Sequence, residues 1–336
     1  MDISNQRVYW PTIDWQERTP QDVNLNQATL SEMIEHIDKH IPGLTSLLIA
    51  RYGNLAFEHY AQGFTRHDAH YPASVVKSVI SALVGIALQQ KVIHHLDQTL
   101  AEVFPAPFLS QVERSQREIT LRSLLTMSSG LAREDQYILE FDASKNFVSA
   151  VLELPLQEKV FHYNNNGPHI LLNLLALVTG VPIITFAQTH LFQPLGISTD
   201  GQWRITEQGW YPGPVPVGRL LLTPRDMLKI GYLYLNGCLW EGRQIIPAEY
   251  VADSTRQHNE GGWPIGVPYG YFWWVSQHEQ PSAFFAAGLG GQRIYVVPAL
   301  DLVIVTTASI ERVRENPGQE KEIQAIIPRF ILPACS

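Results

Sequence analysis

Residues 78–88, Ser-Val-Ile-Ser-Ala-Leu-Val-Gly-Ile-Ala-Leu, are apolar nearly all the way round a helix. A helix of that kind has to be buried rather than laid on a surface, so the rest of the chain must be built around it. The stretch that opens it is Pro72-Ala73-Ser74-Val75-Val76-Lys77. Ser74 and Lys77, three apart at a helix start, share a face about one turn apart. An ammonium at the mouth of a buried helix loses hydration unless it finds partners. Desolvation moves a lysine toward the range in which it accepts a proton. A hydroxyl beside such an amine is a candidate activated nucleophile. The same residues also read as an ordinary helix start, with Ser74 as cap and Lys77 reaching out to water. Ser74-x-x-Lys77 is the one Ser-x-x-Lys in a chain with seven lysines.

The length of 336 residues predicts one large domain or two interdependent lobes, and 45% hydrophobic residues with eight tryptophans are ample for a core. A net charge of −8 and a pI near 5.8 argue against a nucleic-acid or anionic-membrane partner. The first residues carry no basic stretch followed by an apolar one, and no apolar run reaches the roughly 18–20 residues of a membrane span. Cys238 and Cys335 sit far apart and form no disulfide framework. The expected compartment is cytoplasmic. No heptad seam or self-complementary strand edge is visible, so the sequence sets no oligomeric state.

Along the chain, Asn26 caps a predicted amphipathic helix from Gln27 to about His40, with Leu30, Met33, Ile34 and Ile37 on its apolar face. Leu44 to Arg51, the turn Tyr52-Gly53-Asn54 and Leu55 to Tyr60 read as a hairpin. From about Val92 to Gly201 the pattern is helix and loop, including helices over Leu121–Met127, Ser144–Leu154, His169–Val178 and Ile184–Leu191. Tyr211 to Gly218 is a Pro/Gly-rich loop suited to border a site. Thr223 and Pro224 start a helix to about Leu235, and Pro247 begins a shorter one. Strand signals follow at Tyr269–Ser276, Phe284–Ala287, Gln292–Val297 and Leu302–Thr307, and a terminal helix from about Gly318. Strands near both ends with helices between predict an α+β fold. Its sheet lobe, discontinuous over 1–91 and 202–336, would carry one antiparallel sheet flanked by helices. An all-helical lobe over 92–201 would sit beside it, with the site between the two.

A serine nucleophile needs a proton acceptor and donors for the oxyanion. Lys77 supplies an acceptor by spacing, and a tyrosine is a second candidate base. Of three Tyr-x-Asn triplets, Tyr52-Gly53-Asn54 is explained as a turn and Tyr234-Leu235-Asn236 as a helix end. Tyr163-Asn164-Asn165 sits in a polar loop, where its alternative use is to cap the helix that follows. Gly288-Leu289-Gly290-Gly291 joins two β-rich runs and lets a backbone come close to something, so that a strand-edge N–H there could face the Ser74 N–H. A tight turn with a bulge is the other reading.

In this order, Ser74-x-x-Lys77, Tyr163-x-Asn165 and Gly288-Leu289-Gly290-Gly291-Gln292 resemble the serine β-lactamase and penicillin-binding-protein-like hydrolases. The branch most resembled holds class C β-lactamases, related esterases and aminohexanoate-dimer hydrolases. Ile119 to Gly130 and Leu222 to Met227 are further matching stretches, and the resemblance runs from about Trp10 to Ile310. It implies the β-lactamase/transpeptidase-like fold and an acyl-enzyme mechanism without cofactor. Ser74 would be the nucleophile and Lys77 and Tyr163 the proton-transfer pair. Asn165 would orient Lys77 or bond the substrate, with the Ser74 and Leu289 N–H groups, and the glycines Gly288 and Gly290 around them, at the oxyanion.

One departure bears on substrate. Penicillin-recognising relatives carry Lys-Thr-Gly, or a His for the Lys, where this chain has Ala286-Ala287-Gly288. A charged hydrogen-bonding partner for a β-lactam carboxylate, worth about 1.5–3 kcal/mol, is therefore missing. Arg293 or Arg219 could stand in for it. A small neutral ester or amide is the expected substrate, with a true β-lactamase or D-Ala carboxypeptidase as the alternative, and a catalytically silent binding protein as the rival of another class. The histidine pairs His36/His40, His67/His70 and His94/His95 lack a metal-protease pattern, and no metal is expected. His70 could line the site. Trp273 and Trp274, in a predicted strand, should face opposite sides, one into the core and one toward substrate.

Overall fold

The computed structural model describes residues 7–105, 109, 112–131, 147–198, 203–204, 219–276 and 280–335. Helix α1 (Gln27–His40) begins where the Asn26 side chain accepts the N–H groups of Ala28 and Thr29, and it buries Leu30, Met33 and Ile37. Strands β1 (Leu44–Arg51) and β2 (Asn54–Tyr60) form the hairpin. A single 3-10 turn over Ala73–Val75 leads into α2 (Val76–Gln89), in which every residue from Val76 to Ala87 is buried. The all-round apolar pattern is thus answered by full burial.

Past the short helical turns Leu100–Val103 and Arg114–Arg117 come α3 (Leu121–Leu125), α4 (Phe147–Leu152), α5 (Asn166–Thr179) and α6 (Ile183–Ala187). The α5 helix packs against α2, α3, α4 and α6. It starts three residues earlier than its apolar pattern predicts, because Asn164 Oδ1 accepts the Gly167 N–H at 2.9 Å and holds the first turn. The expected helix start at Ser144 and the loop from Tyr211 to Gly218 lie outside the described residues. Thr223 accepts the Asp226 N–H to open α7 (Pro224–Leu235), and α8 (Ala248–Ser254) follows.

Strands β3 (Trp274–Ser276), β4 (Ala283–Gly288), β5 (Gln292–Val297) and β6 (Leu302–Ala308) complete one six-stranded sheet in the order β2-β1-β6-β5-β4-β3. Every pairing is antiparallel. The first and last thirds of the chain meet where β1 pairs with β6, Leu47 opposite Thr306 and Ile49 opposite Ile304. Helix α9 (Gly318–Ile326) packs against α1. No single helix among the described residues is long and apolar enough to cross a membrane.

One strand is shorter than its sequence predicts. Residues 269–273 are irregular, because Phe272 adopts φ +59° and its backbone is used elsewhere. Its N–H goes to the Leu125 carbonyl (3.1 Å), and its own carbonyl accepts the Ser78 hydroxyl (2.7 Å). The segment therefore ties α2 and α3 together instead of extending the ladder.

Helix α7 lies on β1, β5 and β6 so closely that a Cβ at Gly231 would sit 2.5 Å from Val303 Cγ1 and 2.7 Å from Ile294 Cγ2. Both obstacles are branched chains fixed in the sheet. Gly231→Ala should therefore lower stability by about 1–3 kcal/mol through overpacking, despite the better helix propensity of alanine. Urea denaturation checks this, and an unchanged or raised midpoint would contradict such close packing.

Candidate active site

Lys77 is 1% exposed, and its amine has three neighbours. Nζ donates to Ser74 Oγ at 3.0 Å and to Asn165 Oδ1 at 2.5 Å, and lies 4.8 Å from the centroid of the Tyr163 ring. No carboxylate among the described residues stands within ion-pair distance. Ser74 makes no capping bond, so of the two readings of this helix start the cap is the one the structure discards. Lys77 does not reach water.

The Tyr163 loop divides its work between adjacent asparagines. Asn164 does the structural part, accepting from Gly167 and donating Nδ2 to the His162 carbonyl at 2.8 Å. Asn165 turns its amide oxygen to Lys77 instead. Tyr163 is held flat against Trp274, with centroids 5.8 Å apart and planes 22° from parallel, and meets Tyr269 and Trp263 edge-on at 6.4 Å. Its ring, not its hydroxyl, meets the Lys77 amine. The two tryptophans do diverge: Trp273 packs in the core 4.5 Å from Tyr234, while Trp274 backs Tyr163. His70 pairs its backbone with Leu222 and stacks its ring on Phe64, 5.6 Å away.

Gly288-Leu289-Gly290-Gly291 serves both uses its sequence allows. The Gly291 N–H bonds back to the Gly288 carbonyl (3.3 Å), closing a turn in which Gly290 and Gly291 adopt φ of +91° and +95°. The close approach is at Gly288, where a Cβ would lie 2.3 Å from the Pro72 carbonyl oxygen and 3.1 Å from the Ser74 nitrogen. Two buried bonds fix the turn to β6: Thr306 Oγ1 donates to the Gly291 carbonyl (2.6 Å), and Gln292 Nε2 donates to the Ala308 carbonyl (2.6 Å). The N–H groups of Ser74 and Leu289 have no hydrogen-bond partner among the described residues. Gly290 is a correction to the expected oxyanion set, because its N–H is taken by Glu320 Oε1 at 3.2 Å. Its glycine is needed for the turn conformation.

Arg293 does not open into a pocket as a substitute cation would. It is buried beneath the turn, and Nη1 donates to the carbonyls of Gly288 (3.3 Å) and Gln292 (3.2 Å). Burial pulls its pKa down, against the influence of Glu320 and Tyr163. The Arg219 side chain lies outside the described residues.

One neighbour was not singled out from sequence. His169, one turn beyond Asn165 on α5, is buried, and its pKa is pushed down to about 3 by burial and then by the charge of Lys77. A histidine four residues after Asn165 inside an apolar run was the available signal.

The lowered pKa of His169 has a consequence for acid stability. An unfolded histidine takes up a proton near pH 6.5, whereas folded His169 resists until about pH 3. Its stabilising contribution is therefore complete above pH 6.5 and is lost as the pH falls toward 3, at up to ~1.4 kcal/mol per pH unit. His169→Gln should flatten the fall in unfolding free energy between about pH 6 and pH 4; equal slopes in urea titrations would refute this. At the turn, Gly288→Ala must displace either β4 or the Ser74 backbone. A folded variant whose Ser74 reacts with a fluorophosphonate probe about tenfold or more slowly is expected, and unchanged reactivity would show that the contact with Ser74 is not needed.

The Beta-lactamase family model matches residues 28–325. The 6-aminohexanoate-dimer hydrolase of Paenarthrobacter ureafaciens is 22% identical over 286 residues, covering 79% of this chain and 72% of that protein. Two solved structures share the fold. A Bacteroides dorei protein assigned as a beta-lactamase superposes with a TM-score of 0.72 at 17% identity, covering 91% of this chain and 99% of its own. The D-amino acid amidase of Ochrobactrum anthropi gives 0.68 at 17% identity, again over 91% and 99%. With the family model spanning most of its length, the chain belongs to the Beta-lactamase family.

Proposed function

We propose that this chain is a serine hydrolase that forms an acyl-enzyme at Ser74 with small, uncharged esters or amides. The observation that carries the reading is the Lys77 amine, buried, 3.0 Å from Ser74 Oγ and with no carboxylate among the described residues within ion-pair distance. A hydroxyl, an amide oxygen and a ring face surround the amine among the described residues, and its distance to Ser74 Oγ is that of a hydrogen bond along which a proton can pass.

Ser74 Oγ attacks the substrate carbonyl carbon, its proton passes to neutral Lys77, and the π pair moves onto the carbonyl oxygen. The Ser74 and Leu289 N–H groups receive that oxyanion. Collapse re-forms the carbonyl and breaks the bond to the leaving oxygen or nitrogen. The leaving atom takes the proton from Lys77, whose amine is backed by the Tyr163 ring. Water then attacks the acyl ester with its proton going to Lys77, and collapse returns a proton to Ser74 and releases the acid. Asn165 fixes the amine through both steps.

Neutral substrates fit the surroundings. The positions matching Lys-Thr are buried Ala286 and Ala287, and two exposed apolar side chains, Leu289 (49%) and Trp263 (63%), belong to the turn at Ser74 and the ring cluster around Tyr163. The amide-directed names of the aminohexanoate-dimer hydrolase and the D-amino acid amidase support an amide as the kind of bond attacked.

Incubation with p-nitrophenyl butyrate should give a burst of one product equivalent and a single butyryl adduct by intact mass. Ser74→Ala should abolish both, and Lys77→Ala should slow acylation by on the order of 10²–10⁴. Nitrocefin should turn over far more slowly than the ester. Wild-type protein that stays folded yet unmodified by butyrate or fluorophosphonate probes would be a binding protein, and the reading would fall.

A further inference from the structure

Arg293 is 6% exposed, and among the described residues its side chain has no carboxylate within ion-pair distance. Its bonds go to two main-chain carbonyls, those of Gly288 and Gln292. A buried charge without a counter-ion is costly and calls for a reason. The Gly288 carbonyl supplies one, since it belongs to the same peptide group as the Leu289 N–H. That peptide is not among the cis bonds, so its C=O and N–H point in opposite directions. The oxygen faces β5, where it meets Gly291 N and Arg293 Nη1. The N–H therefore faces away from β5, at the edge of β4 that β3 leaves unpaired beyond Phe285, with the Ser74 nitrogen close to Gly288.

Resting on the acyl-enzyme reading above, we propose that Arg293 is a positioning residue of the oxyanion hole. It polarises the Gly288–Leu289 peptide from its carbonyl end, so that Leu289 N–H is a stronger donor to the charge that develops on the substrate oxygen. A cation hydrogen-bonded to a peptide oxygen draws electron density from the attached N–H, and in a dry site the effect is weakly screened. The fixed positive charge that penicillin-recognising relatives carry on the strand beside the nucleophile is here delivered from β5, through the backbone instead of through a side chain in the pocket. Such a site favours an oxyanion while offering no exposed cation to a substrate carboxylate. Glu320 opposes it, because its carboxylate bonds the next N–H, that of Gly290, and acts on the Arg293 charge from the outer side.

Two probes report on this charge: phenylboronic acid, whose tetrahedral adduct on Ser74 is anionic, and an acyl-enzyme labelled with 13C at the carbonyl, read by infrared difference spectroscopy. In Arg293→Met the carbonyl band should move to higher frequency, boronate binding should weaken about tenfold and kcat/KM for p-nitrophenyl butyrate should fall similarly, with KM little changed. Arg293→Lys should recover part of each loss. Glu320→Gln keeps an acceptor for Gly290 but removes the opposing charge, and should move the band the other way and tighten boronate binding by about two- to threefold. Folded variants whose bands and boronate affinities stay at the wild-type values overturn the proposal. If Arg293→Met does not fold, Glu320→Gln, at a half-buried helix position, decides alone, and an unmoved or upward-moved band overturns it. Butyryl adducts with unmoved bands remove only this inference. A wild-type protein with no adduct removes it together with the acyl-enzyme reading.

Discussion

The site depends on keeping one amine dry. Lys77 projects from a helix whose every residue from Val76 to Ala87 is buried, and water cannot solvate its charge. Its partners are a hydroxyl, an amide oxygen and a ring face, none of which is anionic. The neighbouring imidazole of His169 is held neutral by the same burial. The buried helix therefore carries the amine of the candidate site as well as forming part of the core.

The second requirement is that a strand end meets Ser74 at a fixed distance. The Gly288–Gly291 turn does this because each glycine has its own task. Gly288 removes a side chain that would strike the Pro72 carbonyl, and Gly290 and Gly291 supply positive φ. Bonds from Thr306 and Gln292 then lock the turn to its neighbouring strand. Preorganisation of this kind matters because donors that need not reorient during reaction stabilise developing charge most effectively. Beneath the turn, the Arg293 guanidinium donates to the Gly288 and Gln292 carbonyls.

Much was legible in the residues. The caps Asn26 and Thr223, the hairpin turn at Tyr52-Gly53 and strand β5 are local: a side-chain oxygen two or three residues from an unsatisfied N–H, or an alternation of side chains, carries the signal. The spacing of Ser74 and Lys77 on one helical face was equally local. Strand β3 was overestimated, because the backbone of Phe272 bonds to α2 and α3, contacts with residues far away in sequence. The division of labour between Asn164 and Asn165 was hidden for the same reason, since only the position of Lys77 distinguishes two adjacent asparagines.

By itself, the sequence determined that a buried helix carries a serine and a lysine one turn apart, that strands lie near both ends of the chain, and that no cation occupies the place of the Lys-Thr pair. Tertiary structure decided that Lys77 turns inward to Asn165, that Gly290 lends its N–H to Glu320 rather than to the site, and that Arg293 reaches the carbonyl of Gly288. The difference is one of range. Helical spacing and capping act over one or two turns and are written in neighbouring residues, whereas the partner of a buried charge is set by which distant segments the sheet and its packed helices bring together.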